Sequence, residues 1–252
     1  MFDTKRSVVG IFAVVLLASA VPGSATSAAA ADRCPLPRFG AGAHYHPDID
    51  PADFGPRITN HWLPMRPGTT YVYKGVKDGK PSTDIVVVTH RTRVVDGVRT
   101  RVVADRQFEA GVLEERTSDY YAQDICGNVW YFGEDTAVLD RAGHVVDRSG
   151  SFHAGVDGAQ PGVFMQAHPQ IGRRFRQEWF AGEAEDTYVV RDLSATVSVP
   201  YRTSHHAMRT EEFTRLEPDV LDNKYYVRGI GVVKELAVKG PVESLVLVAV
   251  IH

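Results

Sequence analysis

The sequence predicts an all-β chain: a single antiparallel β-barrel or strongly curved meander sheet, preceded by an extended N-terminal arm. Three observations carry this. Asp78-Gly79 and Asp96-Gly97 each stand between β-branched runs, the strongest short-range hairpin signal. Runs of alternating character recur at short intervals from residue 69 to the end of the chain. No long stretch carries the 3.6-residue apolar period of a helix.

The elements follow in order. Residues 1–31 have the layout of a secretory signal peptide. Lys5 and Arg6 form the basic segment, Val8 to Ala20 is apolar, and small residues lead to a cleavage site before Asp32. The apolar run is shorter than the roughly 20 residues of a membrane span. A secreted or extracytoplasmic protein without a stable membrane anchor is therefore expected. Residues 32–68, rich in Pro, Gly, Asp and His, read as an arm laid on the body, with a short helix at Asp50 to Phe54. Residues 69–252 read as one barrel-like domain. Its first strands are "TYVYKGV", "TDIVVVTHRTRVV", "VRTRVVADRQFE", "VLEERTSDYYAQ" and "VWYFGE", the last two joined by the turn "DICGN". Residues 154–172, dense in Gly and Pro, read as a long structured loop, with Asp157 over a barrel mouth. Strands resume at "RRFRQEWF", "AEDTYVVRDLSATVSVP", "HHAMRTEEF", "KYYVRGIGVVKELAV" and "ESLVLVAVIH". So many successive strands in an open sheet would leave long exposed edges, which favours closure.

Charge and cysteines narrow the function. The formal net charge is −3, and no basic stripe runs along any segment, so nucleic acid is not an expected partner. Export favours a Cys34–Cys126 disulfide tying the arm to the "DICGN" turn. No G-x-S-x-G elbow, H-E-x-x-H helix, Walker loop or C-x-x-C occurs, and no cofactor is implied.

Several stretches resemble a family of secreted bacterial β-rich proteins to which no chemistry is assigned. They are Pro67-Gly68-Thr69, Asp105 to Glu115, the "YAQD..GNVWYFGE" pattern at Tyr121 to Glu134, Ala154 to Met165, Arg176 to Asp186, Val197 to Pro200 and Leu216 to Glu235. Cys126, "YRTSHHAM" at Tyr201 to Met208 and the His-rich "HYHPDID" at His44 to Asp50 depart from the pattern. The C-terminal strands also look like those of periplasmic half-barrel lipoprotein carriers.

On "VLEERTSDYYAQ" neither alternating face is purely apolar, so an inward face with polar groups is expected, the geometry of a ligand site. Carboxyls beside aromatic rings lose hydration and can serve as acids near neutral pH. Asp119, Tyr121 and Glu134 are the first candidate catalytic group, with Asp124 as a turn cap. Arg176 and Glu178, two apart on one strand, are the second, as an inward ion pair. The turn at Glu183, Glu185 and Asp186 reads as a solvated acidic turn or a calcium ligand set. Trp130, Phe132, Asp157 and Met165 are expected to line a small-molecule site. His44 and His46 alternate along the arm without further ligands, so no metal site is expected. Three functions stay open: a carrier of an apolar or amphipathic molecule; a cofactor-independent lyase, cyclase or hydrolase; and a structural envelope protein. A mostly apolar interior would mark the carrier, buried ionisable groups in hydrogen-bond reach the enzyme, and a filled core the envelope protein.

Overall fold

Three two-residue turns set the first half of the sheet. In the computed structural model, which describes residues 35–252, strands β2 (Thr70–Lys77), β3 (Lys80–Val95), β4 (Val98–Glu109) and β5 (Val112–Asp124) form consecutive antiparallel hairpins. Asp78, Asp96 and Ala110 all have positive φ and each precedes a positive-φ glycine, the signature of the hairpin loop whose twist matches that of its strands. The predicted leader, and Cys34 with the disulfide expected of it, lie outside the described residues. No helix among the described residues is long and apolar enough to cross a membrane.

The turn into β6 (Val129–Leu139) is organised by one carboxylate. Asp124 Oδ1 accepts from the backbone N–H of Cys126 (2.9 Å) and Asn128 (2.8 Å). Asp124 Oδ2 accepts from Asn128 Nδ2 (2.8 Å) and Trp130 Nε1 (3.0 Å). The sequence-based assignment of Asp124 to a turn cap therefore stands. Short strands β7 (Val145–Asp147) and β8 (Phe152–His153) fold back on β6.

The expected long loop at 154–172 is corrected: it contains a strand, β9 (Gln160–Met165), paired with β6. Its Pro and Gly content disguised it. Gly162 is required by contact, because a Cβ there would lie 2.3 Å from the Gln177 backbone. "RRFRQEWF" likewise divides into β10 (Arg174–Arg176) and β11 (Glu178–Trp179). The second half runs through β12 (Thr187–Ser198), β13 (Thr203–Phe213), β14 (Leu221–Val227), β15 (Gly231–Lys239) and β16 (Glu243–Ile251). "KYYVRGIGVVKELAV" is thus a hairpin, turned at residues 228–230, rather than one strand.

Among the described residues these strands make one 16-stranded sheet, and β16 returns to pair with β2. The two ends of the sheet are stitched by one segment. Its first half, β10, pairs with β12, and its second half, β11, pairs with β9. Gln177 lies between them and donates its N–H to the Asp186 carbonyl (2.8 Å). The all-β barrel predicted from the hairpins is the fold.

The arm wraps the barrel as expected and also stoppers it. Asp50 caps a 3₁₀ turn at Pro51–Asp53, and β1 (Phe54–Gly55) pairs with β5. Asn60 Nδ2 donates to the carbonyls of Gly127 (2.8 Å) and Gln166 (3.1 Å). Its Oδ1 accepts from the N–H of Trp62 and Leu63. This loop tucks Trp62, Leu63 and Met65 into the core. Replacing Gly162 with Ala should cost about 1–3 kcal/mol in urea unfolding, the usual penalty for overpacking. An unchanged midpoint would show that the seam between β9 and the Arg176–Gln177 backbone has slack.

Candidate functional site

Alternation places one face of each strand inside the barrel, and on β5 the inner face is the odd-numbered one. Glu115, Thr117, Asp119 and Tyr121 line the interior. On the outer face, Tyr120 donates its hydroxyl to Asp135 Oδ2 (2.5 Å), and Arg93 bonds both. A bulge decides which β6 residues join the inner face. Asp119 is paired with Glu134, and Tyr121 with Tyr131, so the register slips by one between the two pairs. Tyr131 and Glu134, three apart, would point to opposite faces of a regular strand. The slip occurs at Gly133, whose φ is 147°, and a Cβ there would sit 2.4 Å from the Phe152 carbonyl oxygen.

The interior holds two adjoining cavities of about 200 and 350 Å³ that share Asp105, Asp119, Tyr121, Phe164 and Lys224. The smaller is walled mainly by apolar side chains, among them Leu63, Val86, Val103, Ile230 and Leu245. The larger is acidic, with Glu115, Glu134 and Glu178 on its wall. Tyr121 and Tyr131 stack at 4.7 Å between ring centroids, and Phe164 meets both edge-on at the boundary.

The electrostatics follow from many carboxyls in a confined space. Asp119 Oδ1 accepts from Tyr131 Oη (2.7 Å), yet burial and then the nearby Asp105 push its pKa up to about 7. Glu134 accepts from Thr136 Oγ1 (2.5 Å), and burial followed by Asp119 pushes it up to about 8. Burial raises Glu178 well above the carboxylate range, and Asp186 adds to it. Asp119 and Glu134 are half-buried: they lie deep in the barrel but face space wide enough for water, which tempers the shifts. Lys224 sits among Glu212 (3.0 Å) and Glu235 (3.7 Å). Burial lowers its pKa, but these carboxylates outweigh that and hold it well above the ordinary lysine value. Glu235 is itself raised by burial to about 7.

The sequence-predicted residues divide. Asp119, Tyr121, Glu134 and Glu178 meet at the cavities. The expected inward pair of Arg176 with Glu178 is corrected. Arg176 Nη2 donates to the Gly40 carbonyl (2.9 Å), and its guanidinium stacks on Trp179 (4.5 Å) and Phe39 (5.0 Å), held by the arm outside the cavity. The register change between β10 and β11 breaks the two-residue alternation on which the pairing relied. Trp130 and Phe132 are buried under Phe54 of the arm, at 5.7 and 5.4 Å between rings, and line neither cavity. Met165, beside Val129, is also fully buried away from them. Asp157 stands at positive φ beside a separate pocket of about 180 Å³ with His153 and Phe180. Of the acidic turn, Glu183 and Asp186 border the larger cavity while Glu185 caps the Gly182 N–H (3.0 Å). No group of three or more His, Cys, Asp or Glu among the described residues is arranged to hold a metal ion. Sequence reasoning missed Asp84, Asp105, Lys224 and Glu235. The available signal was a charged residue two positions from a valine on one strand face, as with Asp84 and Val86 in "TDIVVV" and Val103 and Asp105 in "VVADRQ".

No family model and no curated protein matches the chain. Two solved structures are similar in outline. An exported protein of Bacteroides fragilis with a YmcC-like fold is 13% identical, at a TM-score of 0.43, over 77% of this chain and 100% of that one. A lipoprotein of Parabacteroides distasonis is 9% identical, at a TM-score of 0.40, over 76% of this chain and 99% of that one.

The raised carboxyls fix the sign of a pH effect. Between about pH 4, the ordinary carboxyl value, and about 7–8, the folded chain holds protons on Asp119 and Glu134 that the unfolded chain has released. Their stabilisation is full below about pH 4 and is lost as the pH rises through about 7 and 8. Glu134→Gln should raise the unfolding free energy by about 1–3 kcal/mol near pH 8.5 and change it little near pH 5. Equal effects at both values would mean that Glu134 titrates as a hydrated carboxyl.

Proposed function

We propose that this protein is an exported small-molecule-binding barrel that takes an amphipathic ligand into its interior. One observation carries this: an apolar cavity and an acidic cavity adjoin inside one barrel, sharing Asp119, Tyr121 and Phe164 at their junction. Such a junction suits a molecule with an apolar body and a polar end, since most of a ligand's surface is buried against apolar walls while a few polar groups orient it. The leader at residues 1–31 supports export.

A second reading, a cofactor-independent lyase, cyclase or hydrolase, is favoured by the Tyr131–Asp119 hydrogen bond of 2.7 Å opposite Glu134. Carboxyls with pKa values near 7 and 8 can give or take a proton near neutral pH. The interior is not filled, which counts against a purely structural envelope protein.

Native mass spectrometry of protein purified from the culture medium is expected to show a bound small molecule. Leu245→Trp, which fills the apolar cavity, should abolish it. Protein free of ligand in both forms would remove the binding function. Comparing the molecules extracted from wild type and Asp119→Asn separates the two readings. A carrier yields the same species from both, whereas an enzyme yields a chemically different one from the variant.

A further inference from the structure

Five tyrosines line the two cavities, and the protein uses the hydroxyl of all but one. Tyr71 donates to the Pro64 carbonyl (3.1 Å) and Tyr73 to the Val232 carbonyl (3.0 Å). Tyr131 donates to Asp119 (2.7 Å) and Tyr226 to Glu212 (3.0 Å). Tyr121, on the wall shared by both cavities and only 8% exposed, has no hydrogen-bond partner for its hydroxyl among the described residues. Nor is that oxygen sealed in packing, unlike the hydroxyl of Tyr45, which has neither partner nor access. It therefore opens onto the hollow. The ring is held in place by stacking on Tyr131 (4.7 Å) and by the edge-on contact with Phe164 (5.1 Å).

A second donor shares that wall. Lys224 borders both cavities, and its side chain is 24% exposed. An ammonium has three N–H groups. Glu212, at 3.0 Å, takes one, and Glu235, at 3.7 Å, lies beyond ordinary hydrogen-bond length. The two donors are close enough that the Lys224 charge bears on the Tyr121 hydroxyl. The rest of the wall restricts the charge of a guest. Lys224 is the one ammonium on either wall among the described residues, and Glu212 and Glu235 already balance it. A carboxylate head would enter beside Asp119, Glu134 and Glu178 with no cation left to offset it. An ammonium head has no lone pair and leaves both donors unused. An uncharged oxygen meets both constraints.

We propose that the ligand of this barrel is an uncharged amphiphile whose head presents an acceptor oxygen, a carbonyl or a hydroxyl. Tyr121 donates to that oxygen, and Lys224 is the second donor on the same wall. The apolar body lies against Leu63, Val86, Val103 and Leu245. This rests on the amphipathic-ligand reading and adds the chemistry of the head group.

Isothermal titration of the purified, ligand-stripped protein with methyl hexyl ketone, octanol, octylamine and octanoate tests the head group. The ketone and the alcohol are expected to bind at least about threefold more tightly than either charged probe. Tyr121→Phe keeps the ring and its stacking, and it should fold because the lost hydroxyl has no partner in the protein. It should weaken ketone binding by about three- to tenfold, the worth of one hydrogen bond. The infrared stretch of an isotope-labelled ketone carbonyl gives a readout that packing alone does not move. It should fall on binding to the wild type, relative to the ketone in hexane, and recover part of that fall in Tyr121→Phe. Tighter binding of octylamine or octanoate, or a Tyr121→Phe variant with the wild-type affinity or the wild-type stretch, would overturn the assignment and leave the amphipathic reading standing. Failure of all four probes to bind would count against the amphipathic reading itself, and this assignment with it.

Discussion

The structure depends on one seam. A long meander can stay an open, curved ribbon, and this one becomes a barrel because Arg174–Trp179 pairs with β12 through one half and with β9 through the other. The close approach at Gly162 lets the two backbones meet there. Closure is what makes the inner faces an interior. It separates Asp119, Glu134 and Glu235 from bulk solvent, and that separation raises their pKa values.

An interior so rich in carboxyls is an unusual way to spend stability. Filling it with aliphatic side chains would have been easier, because each buried ionisable group must be neutralised, paired or given donors. The protein does some of each. Tyr131 and Thr136 donate to Asp119 and Glu134, Lys224 bridges Glu212 and Glu235, and the Asp84 and Asp105 carboxyls hydrogen-bond to each other. Buried side-chain atoms without a recorded partner occur both in residues on the cavity wall, Asp84 and Asp105, and away from it, in Tyr45, Trp62 and Arg176.

How much was legible in the sequence varies by element. Asp-Gly turns and alternating runs placed β2 to β5 nearly residue by residue and the first six residues of β6, because hairpin loops and their flanking strands are specified locally. Asp119, Tyr121 and Glu134 were legible as a group because they lie on one hairpin. β9 was not, since Pro161 and Gly162 read as loop residues until a neighbouring backbone requires the missing Cβ. Trp130 and Phe132 resembled cavity aromatics but serve the outer packing under the arm. A sequence does not reveal that Gly133 shifts the faces of the strand between Phe132 and Glu134. Arg176 was misplaced because its partners, Gly40 and Phe39, are far away in the chain.

By itself the sequence determined the strand class, the hairpin order and the presence of ionisable groups on inner-capable faces. Those follow from two-residue alternation and from turn residues that act within a few positions of themselves. Only the tertiary structure decided which face turned inward, where the barrel closed, and that Asp84, Asp105, Lys224 and Glu235, from four strands, meet Asp119 around one hollow. Those outcomes depend on bulges, seam contacts and long-range register, where one residue of slip exchanges inside for outside.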